Sequence, residues 1–218
     1  MPRRESRARR TGLMVMVVVV VLAGCTRVID HARPQMERTV APIAAGQVDD
    51  LLSKNVRPDG EPDLFAEVEP ERCTAAAREV NAPFIFDGNP AASSGGDWDD
   101  DDAGIVEIVG VYHSDYDPTA DVDRVRRTIE SCRDQELHIT ASSGATVDLR
   151  VQPRSDSDSP QIALWSLTKT QGQCDDAFIA AHNAAIEITT CWAPGGYDVL
   201  ALARDALTRI NALADMTS

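Results

Sequence analysis

The stretch CDDAFIAAHNAAIEITTC, residues 174–191, decides the fold of this chain. Ala177 to Ala181 and Ala184 to Cys191 are apolar and rich in β-branched residues. They flank His182-Asn183, and Asn tolerates the positive φ that a tight turn needs, so the stretch reads as a β-hairpin with a cysteine at each end. Downstream, after Pro194-Gly195-Gly196, Val199, Leu200, Ala203, Leu207, Ile210 and Leu213 form a helical stripe within Tyr197 to Ala214.

Upstream, Leu137 to Ala141, Thr146 to Gln152 and Ile162 to Thr168 alternate or carry β-branched residues and read as strands, with a polar loop from Ser155 to Pro160. Asp117-Pro118-Thr119 supplies a cap and a first-turn proline for a helix running to Cys132, with Val122, Val125 and Ile129 on its buried face. Before it, Ile105 to Tyr112 reads as a buried strand. The stretch Gly88 to Gly104, with Ser93-Ser94-Gly95-Gly96 and five aspartates among residues 97–102, reads as a solvated loop, since like charges at this density favour extension. Glu71 to Val80 and Gln47 to Lys54 read as short helices, residues 55–63 as loop, and Thr26 to Gly46 as a tether.

The N-terminus carries its own signal. Arg3, Arg4, Arg7, Arg9 and Arg10 precede an apolar run from Leu13 to Ala23. That is a signal-peptide layout, and the run falls short of the roughly 20 residues that a bilayer-spanning helix needs. It ends in Leu22-Ala23-Gly24-Cys25, which resembles the lipobox of bacterial lipoproteins and implies cleavage before Cys25 and diacylation of its thiol. An ordinary small-residue cleavage site is the plainer reading of Ala-Gly-Cys. Two acyl chains suffice for stable anchoring at the outer face of the cytoplasmic membrane.

The expected organisation is a signal peptide over 1–24, a lipidated tether over 25–47 and one domain over 48–218. Losing the five Arg and one Glu of residues 1–24 takes the formal net charge from −14 to −18. A surface this acidic repels phosphate backbones and anionic head groups, which argues against nucleic acid as a partner and leaves lipid to hold the protein at the membrane.

Cys73, Cys132, Cys174 and Cys191 remain. An even number in an exported chain reads as a disulfide framework with three possible connectivities; a metal site is the alternative, but no CxxC pair is present. His31, His113, His138 and His182 are not spaced for metal ligation, and no GxSxG, P-loop, GxGxxG or HExxH occurs. The sequence therefore supports no enzyme, no metal and no cofactor. Calcium remains conceivable at Asp97, Asp99, Asp100, Asp101 and Asp102, or at Asp115, Asp117 and Asp121, although neither set has the glycine and distal glutamate of an EF-hand. Trp165 and Trp192 read as core residues, and Trp192 also suits a cover over its neighbouring cysteine.

Taken together, Cys174, the His182-Asn183 turn, the strand Ala185 to Thr190, Cys191 and the terminal helix resemble the extracellular sensor domain of the mycobacterial serine/threonine kinase PknH and its lipoprotein relatives. The likeness extends to Leu51-Leu52, Cys73 after a loop, and Cys132 ending the helix after the first long strand, covering about residues 48 to 214. Where relatives often carry a tryptophan shortly before that cysteine, this chain has Arg127 to Ser131; the aspartate run at 97–102 is also its own.

The resemblance implies an α+β domain, an antiparallel sheet packed with helices, and pairs Cys73–Cys132 and Cys174–Cys191. The second pairing also stands on the hairpin, which returns the chain beside its start. In a chain-entropy model, loops of about 60 and about 18 residues contribute roughly 4 and 3 kcal/mol. The resemblance further implies a non-catalytic sensor-like domain with a cleft for an unidentified ligand. The expected function is capture of a small polar molecule or envelope fragment, with docking to an envelope protein as the alternative.

Overall fold

A computed structural model describes residues 42–57, 63–100, 103–169, 172–192 and 197–217. In chain order these form a 3₁₀ helix at Ala45–Leu51, strand β1 (Phe65–Glu69), a second 3₁₀ helix at Glu71–Ala76, the one-turn helix α1 (Pro83–Phe86), and strands β2 (Ala92–Asp100) and β3 (Ala103–Val111). Helix α2 (Pro118–Ser131) follows, then strands β4 (Glu136–Ala141), β5 (Thr146–Arg154), β6 (Ile162–Thr168), β7 (Gln173–Ala181) and β8 (Ala184–Trp192), and helix α3 (Val199–Thr217). The strands make one antiparallel sheet in the order β1-β4-β5-β6-β7-β8-β3-β2. Among the described residues no helix is long and apolar enough to cross a membrane.

The sheet separates two cores. On one face Trp165, Leu167, Phe178 and Ala185 pack against Phe84 and Ile85 of α1 and Val122, Val125 and Ile129 of α2. On the other, Ile162, Ile179, Ile186 and Ile188 pack against Val199, Ala203, Ala206 and Ile210 of α3, with Ile43 and Leu51 from the N-terminal segment. Strands β6, β7 and β8 are thus covered on both sides, which explains their near-continuous apolar runs. Strands β4 and β5 keep one polar face, and their sequences alternate accordingly. The α2 start is as read: Asp117 caps the helix by accepting the Ala120 N–H at 3.0 Å, with Pro118 in the first turn.

Both disulfides are present. Cys73–Cys132 ties the second 3₁₀ helix to the C-cap of α2, and Cys174–Cys191 joins residues directly opposite each other in β7 and β8. The β7–β8 turn departs in detail from the sequence reading. His182 takes the positive φ, at 52°, while Asn183 is buried and its amide works as a clamp. Asn183 Nδ2 donates to the carbonyls of Ile43 and Tyr112, both at 2.9 Å, and Oδ1 accepts the Ile43 N–H at 3.0 Å.

Three expectations need correction. Gly88 to Gly104 is not a solvated loop: residues 92–100 form edge strand β2, and Ala103 and Gly104 begin β3. Every second residue turns inward, so Trp98 is buried opposite Ile105, and Gly96 leaves room for Val56, whose Cγ1 would stand 2.4 Å from a Cβ placed there. Charge on the alternate positions suits an edge strand, where it discourages pairing with another chain. Asp101 and Asp102 lie outside the described residues.

Second, the boundary at residue 48 falls inside the first 3₁₀ helix, and Ile43 is already core. Third, the helix expected over Glu71 to Val80 is the shorter 3₁₀ turn Glu71–Ala76. Strand β1 and helix α1 have no counterpart in the sequence reading. β1 buries only Val68, so its five residues show little alternation.

A buried ion pair fastens α3 to the sheet. Glu107 on β3 is fully buried, pairs with Arg209 of α3, and accepts the Ser53 N–H at 2.6 Å. Burial pushes the Glu107 carboxyl up despite that partner. Arg209→Ala should therefore lower stability by about 3 kcal/mol or more, because it strands a desolvated acid, whereas Glu107→Gln should cost less. Urea midpoints of the two variants would check this order, and equal losses would contradict it.

Candidate functional site

Strands covered on both faces leave no solvent for a charge, yet β7 and β8 carry Asp175, Asp176 and Glu187, exposed by 1%, 1% and 5%. Asp175 is well matched. It accepts from Ser166 Oγ at 2.5 Å and Gln173 Nε2 at 2.7 Å, and Arg154 lies 3.2 Å away. Asp176 and Glu187 are not. Asp176 accepts one bond, from Thr189 Oγ1 at 2.8 Å, while its Oδ2 and the Oε2 of Glu187 are buried without a partner.

Strand register puts these groups on one sheet face. Trp165, Asp176, Thr189, Val106 and Asp97 stand side by side across β6, β7, β8, β3 and β2, with Glu187 two positions before Thr189 on the same side of β8. Glu79 reaches the face from the segment after the second 3₁₀ helix. Its Oε2 accepts the Phe65 N–H at 2.7 Å, and its own N–H donates to the Phe65 carbonyl at 2.9 Å.

Asp63, Phe65, Glu79, Asp97, Val106 and Thr189 all line one cavity of ≈ 240 Å³. Phe65 belongs to one edge strand of the sheet and Asp97 to the other, so the sheet curls until its two edges meet this hollow. Asp176 and Glu187 stand behind its wall; Thr189 links Asp176 to the cavity directly.

Burial dominates the electrostatics. It pushes the Glu79 carboxyl up to about 7 against the Phe65 and Thr189 hydrogen bonds that favour its charge, with Asp63 adding repulsion. Burial also raises Asp176, helped by the negative charges of Glu187, Glu79 and Asp175, and raises Glu187, where Glu79 adds to the effect and Arg124 opposes it. Near neutrality this cluster holds protons that unfolded carboxyls would have released.

Of the residues singled out from sequence, Asp97, Asp99 and Cys191 line this cavity. Cys25 and His31 lie outside the described residues. Cys73, Cys132, Cys174 and Cys191 are all in disulfides, which leaves none of them a nucleophile. His138 pairs with Asp148 on the surface at 2.7 Å, and His182 Nε2 meets Asn211 at 3.2 Å. Trp165 is core, its Nε1 donating to the Ala76 carbonyl at 2.8 Å.

Of the aspartates weighed for calcium, Asp99 pairs with Arg57, Asp100 with Tyr197, and Asp121 with Arg124 and Tyr116. Among the described residues no three acidic, imidazole or thiol groups converge to hold a metal. Glu79, Asp176 and Glu187 escaped the sequence reading. The available signal was a charge inside strands whose neighbours are apolar at both parities.

No protein-family model matches this chain, and no curated protein matches it. Among solved structures, the extracellular domain of PknH from Mycobacterium tuberculosis superposes with a TM-score of 0.62 at 15% sequence identity, over 78% of this chain and 98% of that domain. The two share a fold.

The raised carboxyls make a signed prediction. A group whose folded pKa lies above its unfolded value near 4.5 holds the fold more firmly at low pH, and that contribution is lost as pH rises towards about 7. For Glu79 the difference is roughly 3 kcal/mol at 1.36 kcal/mol per pKa unit. Glu79→Gln, which keeps an acceptor for Phe65, should thus gain on the native protein between pH 5 and pH 8. Paired denaturant titrations at the two pH values would test this, and a constant difference between the proteins would refute it.

Proposed function

We propose that this protein is an exported lipoprotein, anchored through Cys25 at the outer face of the cytoplasmic membrane, whose domain captures a small polar ligand and performs no catalysis. The basic, apolar and Leu-Ala-Gly-Cys segments support export and lipidation, and two disulfides suit an oxidising compartment. The fold shared with the extracellular domain of PknH supports a sensor-like role.

One observation carries the capture reading: the cavity at Glu79 is lined by Asp97, whose buried Oδ1 has no partner among the described residues, and the unpaired oxygens of Asp176 and Glu187 lie behind its wall. Polar groups that cost folding energy without a partner mark places where a ligand supplies it. Docking to an envelope protein is the second reading. It is favoured by an open groove of ≈ 1020 Å³ over β1 and β4, where Glu67, Glu69 and Glu71 offer acids to a basic partner beside Arg78 and the His138–Asp148 and Arg150–Glu136 pairs.

Two experiments test these statements. Cys25→Ala should move the protein from the membrane to the soluble fraction; unchanged fractionation would remove the anchor. Native mass spectrometry of the full chain, produced in a host that processes lipoproteins, should show extra mass that leaves on denaturation. A folded, oxidised sample with no such mass would move the function to docking at the β1–β4 groove.

A further inference from the structure

Among the described residues four buried side-chain polar atoms have no hydrogen-bond partner, and three are carboxylate oxygens on one sheet face: Asp97 Oδ1, Asp176 Oδ2 and Glu187 Oε2. Of the three, Asp97 Oδ1 belongs to a residue that lines the acidic cavity, whose wall also carries Asp63, Glu79 and Asp99, while Asp176 and Glu187 lie behind it. A ligand that fits such a wall brings donors and positive charge, which describes an alkylammonium head group. A divalent ion fits poorly, because it takes six or more oxygens at close range and no such convergence exists among the described residues.

A second cavity, of ≈ 230 Å³, says what should carry the charge. Val147, Leu149 and the Cys174–Cys191 bridge line it together with Lys169 and Gln173, and it shares Phe65 and Cys191 with the acidic cavity. An acidic pocket thus adjoins a mostly apolar one at Phe65 and Cys191.

We propose that the acidic cavity binds the ammonium group of a small aliphatic amine. Glu79 and Asp97 accept its N–H bonds at the cavity wall, Asp176 and Glu187 lie behind them, and the cavity beyond Phe65 takes the alkyl chain. This rests on the capture reading above and narrows its ligand to one chemical class.

The groups facing Glu79 set the pH dependence. They are Asp63 before β1, Asp97 on β2, Asp176 on β7, and Glu187 and Thr189 on β8, with Arg124 of α2 opposing through Glu187. All but Thr189 and Arg124 are acids, so a cation entering here displaces protons. An amine stays charged from pH 6 to pH 8, whereas the ionised fraction of a carboxyl titrating near 7 rises about tenfold.

The test is calorimetric titration of the folded, oxidised full chain with n-butylamine at pH 6 and pH 8, in two buffers of different ionisation enthalpy, with Ca²⁺ and butyrate run alongside. Binding should be about tenfold tighter at pH 8, release protons, and weaken at least tenfold in Glu79→Gln and in Asp97→Asn. The native protein's pH and buffer dependence decides the matter even if a variant fails to fold. No butylamine binding at either pH, binding that ignores pH, or equal binding of butyrate or Ca²⁺ would overturn the proposal. Retained mass in the native spectrum together with no amine binding would reject the amine and leave capture standing; absence of both would reject the two together.

Discussion

The β7–β8 hairpin lies inside the sheet with both faces covered, and most of the domain follows from that constraint. A strand pair so placed must be apolar on both faces, so each face calls for its own layer: α1 and α2 on one, α3 and the N-terminal segment on the other. Its turn has to be satisfied internally as well. Asn183 does this by bonding Ile43 and Tyr112, which fastens the first core residue among the described residues to the end of β3. Cys174–Cys191 closes the hairpin's open end, and Cys73–Cys132 holds the segment that delivers Glu79 against α2.

Against that background the acids on the hairpin separate into two kinds. Asp175 and, on neighbouring β3, Glu107 are each supplied with an arginine and further donors, so they serve the architecture. Asp176 and Glu187 have no arginine at hydrogen-bonding distance and face Glu79 across the sheet's inner surface, where burial and mutual repulsion hold all three carboxyls above their ordinary range. Hydrophobic residues of similar size would stabilise this face more. Retaining acids there costs stability, and such a cost is found where a protein meets a ligand.

Sheet curvature brings those acids beside a cavity. Strand order alone would keep β1 and β2 at opposite edges, yet Phe65 and Asp97 line the same hollow. Strand β2 therefore has two roles: Trp98 seals the α3-side core, while Asp97 and Asp99, on the opposite parity, face the cavity. A mostly acidic exterior adds a field that draws cations towards the opening, and salt will weaken that attraction.

Residue pattern by itself determined the hairpin, β3 to β6, α2 with its Asp117 cap, and α3, because burial on one face imposes a repeat on β3, β4, β5 and the helices, while burial on both faces leaves long apolar runs in β6 and the hairpin. It failed at β1 and β2, where an edge strand has few buried positions and the charge of Asp97, Asp99 and Asp100 masked the inward turn of Trp98. The acidic cavity was not legible at all. Asp176 and Glu187 lie eleven residues apart on paired strands, and Glu79 is almost a hundred residues away from them in the chain. The sequence specifies that charges sit in buried strands. Only the tertiary structure decides, through register and curl, that they share one face and one hollow, because side-chain direction along a strand is local while the meeting of two sheet edges is not.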